Sequence, residues 1–83
     1  MKVRIKYFAS IREAIGVASE DFETQAATLA ALRTELIARE GAYAHSLAPG
    51  RALRMAQNQV MADDSAVLLE GAEIAFFPPV TGG

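Results

Sequence analysis

The chain ends in Phe76-Phe77-Pro78-Pro79-Val80-Thr81-Gly82-Gly83, and this run holds the residues best suited to chemistry. A strand cannot continue through Pro78-Pro79, because proline offers no N–H to a ladder. The chain must therefore leave any sheet at that point. Pro78 to Gly83 can reach about 20 Å when extended. The prolines stiffen the base of this arm and lower the entropy lost when it docks. Gly82 and Gly83 have no Cβ, so the tip is thin enough for a narrow channel and its terminal carbonyl is open to attack.

A carboxylate on Gly83 is ionised near neutral pH, with a reference pKa of about 3.3–3.7. It is a poor electrophile until it gains a better leaving group. Transfer to ATP as an acyl-adenylate would supply one, and a sulfur donor could then leave a terminal thiocarboxylate. That sulfur would be a good nucleophile at the end of an arm. The chain has no phosphate-binding loop and no thiol, so a separate activating enzyme is expected. Gly-Gly alone is a weak signal, because terminal glycines are often a disordered end or a cloning scar. Two aromatics and two prolines directly before it are not the usual composition of such an end.

The elements that must carry this arm can be read from periodicity. Lys2 to Phe8 alternates, with Val3, Ile5 and Tyr7 on one side and Lys2, Arg4, Lys6 and Phe8 on the other. Ala9 to Gly16 reads as a short helical turn or loop with Gly16 as its stop. Ala18 to Glu23 reads as an acidic strand, joined to the first by a hairpin around Gly16-Val17. Thr28 is placed to cap a helix, and Leu29, Leu32, Leu36 and Ile37 share one face of it. Glu35 and Arg39 have the spacing of a surface ion pair, and Gly41 reads as the stop. Residues 42–52 read as a loop with a Pro49-Gly50 turn. Leu53 to Gln57, Val60-Met61 and Glu73 to Phe77 read as strands, with turns at Asn58-Gln59 and at Asp63-Asp64-Ser65. One main helix on one face of a mixed sheet is an α+β domain. The element order suggests a β-grasp, with a domain over 1–77 and a flexible Gly-Gly tail over 78–83.

Composition narrows the possible roles. Of 83 residues 52% are hydrophobic, which supports a folded core. There is no cysteine, which removes disulfides and thiolate chemistry and fits a reducing cytosol. The net charge is −2, and the basic residues form no run, so nucleic acid is not an expected partner. Charges at Lys2, Arg4 and Lys6 interrupt the start, so neither a signal peptide nor a membrane span is expected. His45, alone and without ligand spacing, reads as a solvated loop residue. Glu20-Asp21, Asp63-Asp64 and Glu70 read as solubilising charge, since a domain this small has little room for a cleft with an acid/base pair. The Lys2/Arg4/Lys6 row is expected to face Asp21 and Glu23 across the hairpin.

If the first and last strands are neighbours, Phe8 and Phe77 form an exposed aromatic patch at the root of the arm, while Ile74 and Phe76 point to the core. Such patches mark partner sites. Arg12, one helical turn after Phe8, could pair with an acidic residue of a partner.

Three stretches share one resemblance. Phe76 to Gly83 resembles the ending of the molybdopterin synthase small subunits, a family of ubiquitin-like sulfur carriers. Phe8-Ala9-Ser10-Ile11-Arg12-Glu13 resembles that family's segment after its first strand. Thr28-Leu29-Ala30-Ala31-Leu32-Arg33 sits where the family's helix begins. The resemblance spans nearly the whole chain, although 42–52 matches no motif. It implies a β-grasp whose Gly83, next to Gly82, is adenylated by a ubiquitin-activating-like adenylyltransferase and then thiocarboxylated. It implies docking of Phe8, Arg12, Phe76, Phe77, Pro78, Pro79, Val80 and Thr81 on the large, catalytic subunit, in a cytoplasmic heterotetramer. Sulfur would pass there to cyclic pyranopterin monophosphate. The chain itself would bind no cofactor, and ATP would be used by the activating enzyme. Sulfur donation for thiamine thiazole or tRNA thiolation stays open, as do a ubiquitin-like protein modifier and an interaction module with an inert tail.

Overall fold

The computed structural model describes residues 1–79. Its elements are β1 (Lys2–Tyr7), α1 (Ala9–Ile15), β2 (Ser19–Glu23), α2 (Leu29–Ile37), α3 (Gly41–Ser46), β3 (Arg54–Gln57), β4 (Val60–Ala62) and β5 (Glu73–Phe77). The strands form one sheet in the order β2-β1-β5-β3-β4. β1 and β5 are parallel at its centre, and the other pairings are antiparallel.

The alternation in β1 sets the layers. Val3, Ile5 and Tyr7 are buried beneath the helices with Ile74 and Phe76 of β5, while Arg4 and Phe8 are exposed on the opposite face. Leu29, Leu32 and Leu36 of α2 close over the first set and are fully buried. Ile37 is only partly buried, packed at the margin of the same core. Thr28 caps α2 as its sequence position predicts, its hydroxyl accepting from the Ala31 N–H at 3.2 Å. α1 is a true helix that buries Ile11, and it ends at Gly16, whose φ of +93° suits glycine.

The region expected to be a loop after α2 is different. α2 ends at Ile37, and Gly41 does not stop it but opens α3. Glu40 and Gly41 take φ values of +63° and +59°, which turn the chain between the two helices. No periodicity announced α3, because it is short and its apolar contacts come from outside itself. Tyr43 meets the Tyr7 ring edge-on at 6.2 Å. Arg33 then fixes the segment that follows. Its Nε donates to the Leu47 carbonyl at 2.7 Å, and its Nη2 donates to the carbonyls of Ala48 and Arg51. His45 lies on this helix rather than in a loop, and its Nε2 is 3.1 Å from Arg51 Nη2.

The expected Glu35–Arg39 pair does not form. Glu35 instead accepts from the Thr24 hydroxyl at 2.6 Å and from the Gln25 N–H at 3.1 Å, tying the β2–α2 connection to the helix. Arg39 turns to Glu20 at 3.0 Å and lies over the Tyr43 ring at 4.1 Å. Two donors on the connection, one of them the buried Thr24 hydroxyl, offer this carboxylate more than a surface pair worth a few tenths of a kcal/mol.

Glu20 is thus a structural centre and not merely solubilising charge. It accepts from Tyr7 and Tyr43, both at 2.8 Å, as well as from Arg39. Burial acts to raise its carboxyl, but hydrogen bonds from Tyr7, Arg39 and Tyr43 outweigh this and hold it below the usual carboxylate range. Burial together with the Glu20 hydrogen bond pushes the Tyr7 hydroxyl far up, so it stays a donor at all ordinary pH. The stability from a depressed carboxyl is complete above its unfolded value, near 4.3, and is lost as pH falls through the folded value. Glu20→Gln is therefore expected to cost about 1–2 kcal/mol at pH 7. In urea titrations the gap between parent and variant should close as pH falls below about 4. A gap that stays constant down to pH 2 would exclude Glu20 as an acid-labile centre.

Candidate functional site

The sheet face away from the helices is assembled from alternate residues of four strands. Across the register, Arg54 of β3 is the partner of Phe77 of β5. Phe77 meets the ring of Phe8 edge-on, with centroids 6.2 Å apart. The Phe8 N–H donates to the Phe76 carbonyl at 3.1 Å, so the residue after β1 still follows β5. Phe8, Phe77 and Arg54 thus form one row. The next row runs from Lys6 to Ala75, to Ala56 and to Met61, each the register partner of the one before.

The juxtaposition expected of Phe8 and Phe77 is present. Phe8 is 44% exposed, a high value for a phenylalanine, and Phe77 is half-buried. Phe76, grouped with them as a partner contact, is completely buried and stacks on Tyr7 at 6.3 Å. It presents no side-chain surface and serves the site from beneath. The reason is the pleat, which sends neighbouring residues to opposite faces. Pro78 and Pro79 follow β5 outside any strand and are half-buried. Val80, Thr81, Gly82 and Gly83 lie outside the described residues. Arg12 is exposed on α1, its own N–H bonded to the Phe8 carbonyl, and its guanidinium has no ion pair among the described residues.

The basic row on β1 splits between two neighbours. Arg4 meets Asp21 at 3.3 Å as expected, but Lys6 turns to Glu73 of β5 at 3.2 Å. Lys2 stands opposite Glu23 in register, while the Glu23 carboxylate lies 3.9 Å from the amino terminus. Sequence reasoning passed over Met61, Ala56, Ala75 and Arg54 as members of this face. Alternation within each strand carried the signal, but only the pairing order brings the four strands together. Among the described residues no group of three or more His, Cys, Asp or Glu side chains could hold a metal. No helix among them is long and apolar enough to cross a membrane.

A mixed sheet with parallel β1 and β5 at its centre, one main helix laid across one face and the last strand leading directly into a Pro-Pro arm defines a ubiquitin-like β-grasp protein. The small archaeal modifier SAMP1 of Haloferax volcanii has the same fold, with a TM-score of 0.79 over 100% of both chains at 22% identity. The chain belongs to the ThiS family, whose model matches residues 5–83. It is 36% identical over 81 residues to the molybdopterin synthase sulfur carrier subunit of Escherichia coli, covering 98% of this chain and 99% of that one. It also resembles a chain of the Helicobacter pylori complex of subunits 1 and 2 of molybdopterin-converting factor, at 30% identity and a TM-score of 0.64 over 100% of both chains.

Proposed function

We propose that this chain is the sulfur-carrying subunit of a molybdopterin synthase and that Gly83 is its working residue. The observation that carries this reading is the root of the arm. β5 delivers Pro78-Pro79 beside a paired Phe8–Phe77 surface, so a docked partner is positioned to receive the tip. The full-length likeness to a sulfur carrier subunit and to a chain of a complex of subunits 1 and 2 of molybdopterin-converting factor supports it.

The chemistry follows from the carboxylate. An oxygen of the Gly83 carboxylate attacks the α-phosphorus of ATP within a ubiquitin-activating-like adenylyltransferase, and pyrophosphate leaves. A sulfur nucleophile delivered by a donor then attacks the acyl carbon. A C–S bond forms, the bond to the phosphate oxygen breaks and AMP departs; with hydrosulfide as the nucleophile this leaves the thiocarboxylate directly, and with a donor persulfide a thiol reductant must then cleave the acyl disulfide. The small subunit next docks through Phe8, Phe77 and Arg12 on the large subunit, and residues 78–83 enter its channel. There the terminal sulfur forms a C–S bond to cyclic pyranopterin monophosphate as a C–O bond of that substrate breaks, and water at the acyl carbon then cleaves the acyl C–S bond, leaving the sulfur on the pterin and restoring the carboxylate. A dithiolene contains two sulfurs, so it takes two such deliveries. The chain contributes the carried group and the docking surface, while ATP chemistry and pterin binding belong to its partners.

Intact mass spectrometry tests this reading after incubation with ATP, a sulfide source and the activating enzyme. The expected result is a gain of about 16 Da, the difference between sulfur and oxygen, localised to Gly83. Loss of that gain on adding cyclic pyranopterin monophosphate and the large subunit would complete the cycle. No gain with a demonstrably active enzyme would overturn the sulfur-carrier reading and favour a protein modifier or an inert tail.

A further inference from the structure

An open cleft of about 550 Å³ lies where β3 and β4 meet the end of α2 and the segment before β3. Arg54 opens β3 and is the register partner of Phe77, so Arg51, Ala52 and Leu53 stand at the same end of the sheet as Pro78 and Pro79. Leu53, Met55 and Ala62, all buried or half-buried, give the cleft an apolar wall.

Three guanidiniums and two carboxylates line it, and they are not equally engaged. Arg33 is occupied by the carbonyls of Leu47, Ala48 and Arg51. Asp63 accepts from the Ser65 N–H and hydroxyl, and Asp64 forms no ion pair among the described residues. Arg51 lies 3.1 Å from His45 Nε2 through its Nη2, but it meets no carboxylate there. Arg54 likewise has no ion pair among the described residues, and both arginines are exposed. The cleft thus carries an excess of positive charge and two guanidiniums able to grip a planar carboxylate at two points.

A segment of that chemistry begins beside it. Val80, Thr81, Gly82 and Gly83 follow Pro79 and reach about 13 Å when extended. That length exceeds the width of a cleft of this volume. We propose that the cleft is a resting site for the chain's own C-terminus, in which Arg51 and Arg54 hold the Gly83 carboxylate and Val80 lies against the Leu53–Met55–Ala62 wall. A tether this short gives an effective concentration on the order of millimolar, so a weak grip is enough to hold the arm part of the time. The grip is weak because Arg51 and Arg54 are exposed and because Asp63 and Asp64 repel a carboxylate. Any partner that draws the arm into its own channel must first displace it. Of the sulfur-carrier reading this needs only a free carboxylate at Gly83.

The test uses nuclear magnetic resonance on the free full-length chain, isotopically labelled at glycine. One readout is the acid titration of the Gly83 carboxyl, and the other is the mobility of the Gly82 and Gly83 amides at pH 7. At low salt the carboxyl is expected to titrate about 0.5 pH units or more below its reference range of about 3.3–3.7. Salt at about 0.5 M screens exposed charges, so it should raise that value and loosen both amides. Arg51→Gln combined with Arg54→Gln should do the same at low salt, with the fold kept because both side chains are exposed. Arg51→Lys with Arg54→Lys keeps the charge without the two-point grip, and should lose about half of the shift or more. A parent carboxyl that titrates in its reference range, or a Gln variant with the parent's tail mobility, would overturn the proposal. A shift fully retained in the Lys variant would mean a general field and no resting site. A shift that grows with protein concentration would assign the grip to a second copy and overturn the intramolecular site. The sulfur mass gain is measured separately, so its failure would leave these outcomes as they stand.

Discussion

Deleting Gly82 and Gly83 is expected to reduce sulfur transfer by at least about a thousandfold, while leaving the fold and the docking surface intact. Two residues shorten an extended arm by about 7 Å. A misplacement of about 1 Å can already cost a hundredfold where reacting atoms must be held in line. Among the described residues the buried ones all lie between Val3 and Phe76, and the truncation removes none of these. Thermal unfolding should match the parent, and affinity for the large subunit should change less than about tenfold, because aromatic anchors dominate such interfaces. The measurement is single-turnover conversion of cyclic pyranopterin monophosphate, with binding followed in parallel. A truncated chain that still supports turnover would remove the Gly83 carboxylate from the mechanism. Gly83→Ala belongs to the same experiment. It adds one methyl at the acyl centre, so it should slow activation while sparing stability.

The second large effect concerns two adjacent phenylalanines. Phe76→Ala should destabilise the domain by about 3–5 kcal/mol, the usual cost of removing a buried ring. A domain of 83 residues has only about 4–12 kcal/mol in total. The variant should therefore unfold over a broad range of ordinary conditions. The ring is fully buried, stacks on Tyr7 and lies at the centre of the sheet, so little around it can collapse into the gap. Phe77→Ala makes the same chemical change one residue on. That ring is half-buried on the helix-free face, so it should cost the fold much less and docking much more. Urea unfolding and binding to the large subunit, measured on both variants, separate the two faces. Equal stability losses would mean that Phe77 is a core residue and not part of the docking surface.

Glu20 and Arg33 show how the framework depends on contacts between elements. Glu20 joins Tyr7 on β1, Tyr43 on α3 and Arg39 after α2. Arg33 holds the carbonyls that follow α3. Together they fix the helical layer from which Phe76 takes its packing. None of these residues lies on the helix-free sheet face proposed for docking.

Much of this protein was legible in the order of its residues. The alternation from Lys2 to Phe8 assigned each side chain of β1 to a face, because a strand has period two. Thr28 and the Leu29/Leu32/Leu36 spacing located α2, because a cap and a helical stripe are local signals. Pro78-Pro79 ended the sheet, because proline cannot donate to it. The motif at 76–83 and the segment at 8–13 pointed to a sulfur-carrier family, and the match over 5–83 places the chain there. Other features existed only once the chain had folded. α3 has no stripe of its own and is held by Tyr7 and Glu20 from elsewhere, while Arg33 holds the segment after it. Glu35 and Arg39 have ideal helical spacing, yet each found a partner on or beside β2. The row of Lys6, Ala75, Ala56 and Met61 on the helix-free face depends on β5 lying between β1 and β3. Local sequence determines which face a side chain takes, because that depends on a few torsions. Which distant side chains share the face is decided by strand pairing, a long-range choice that local spacing does not encode.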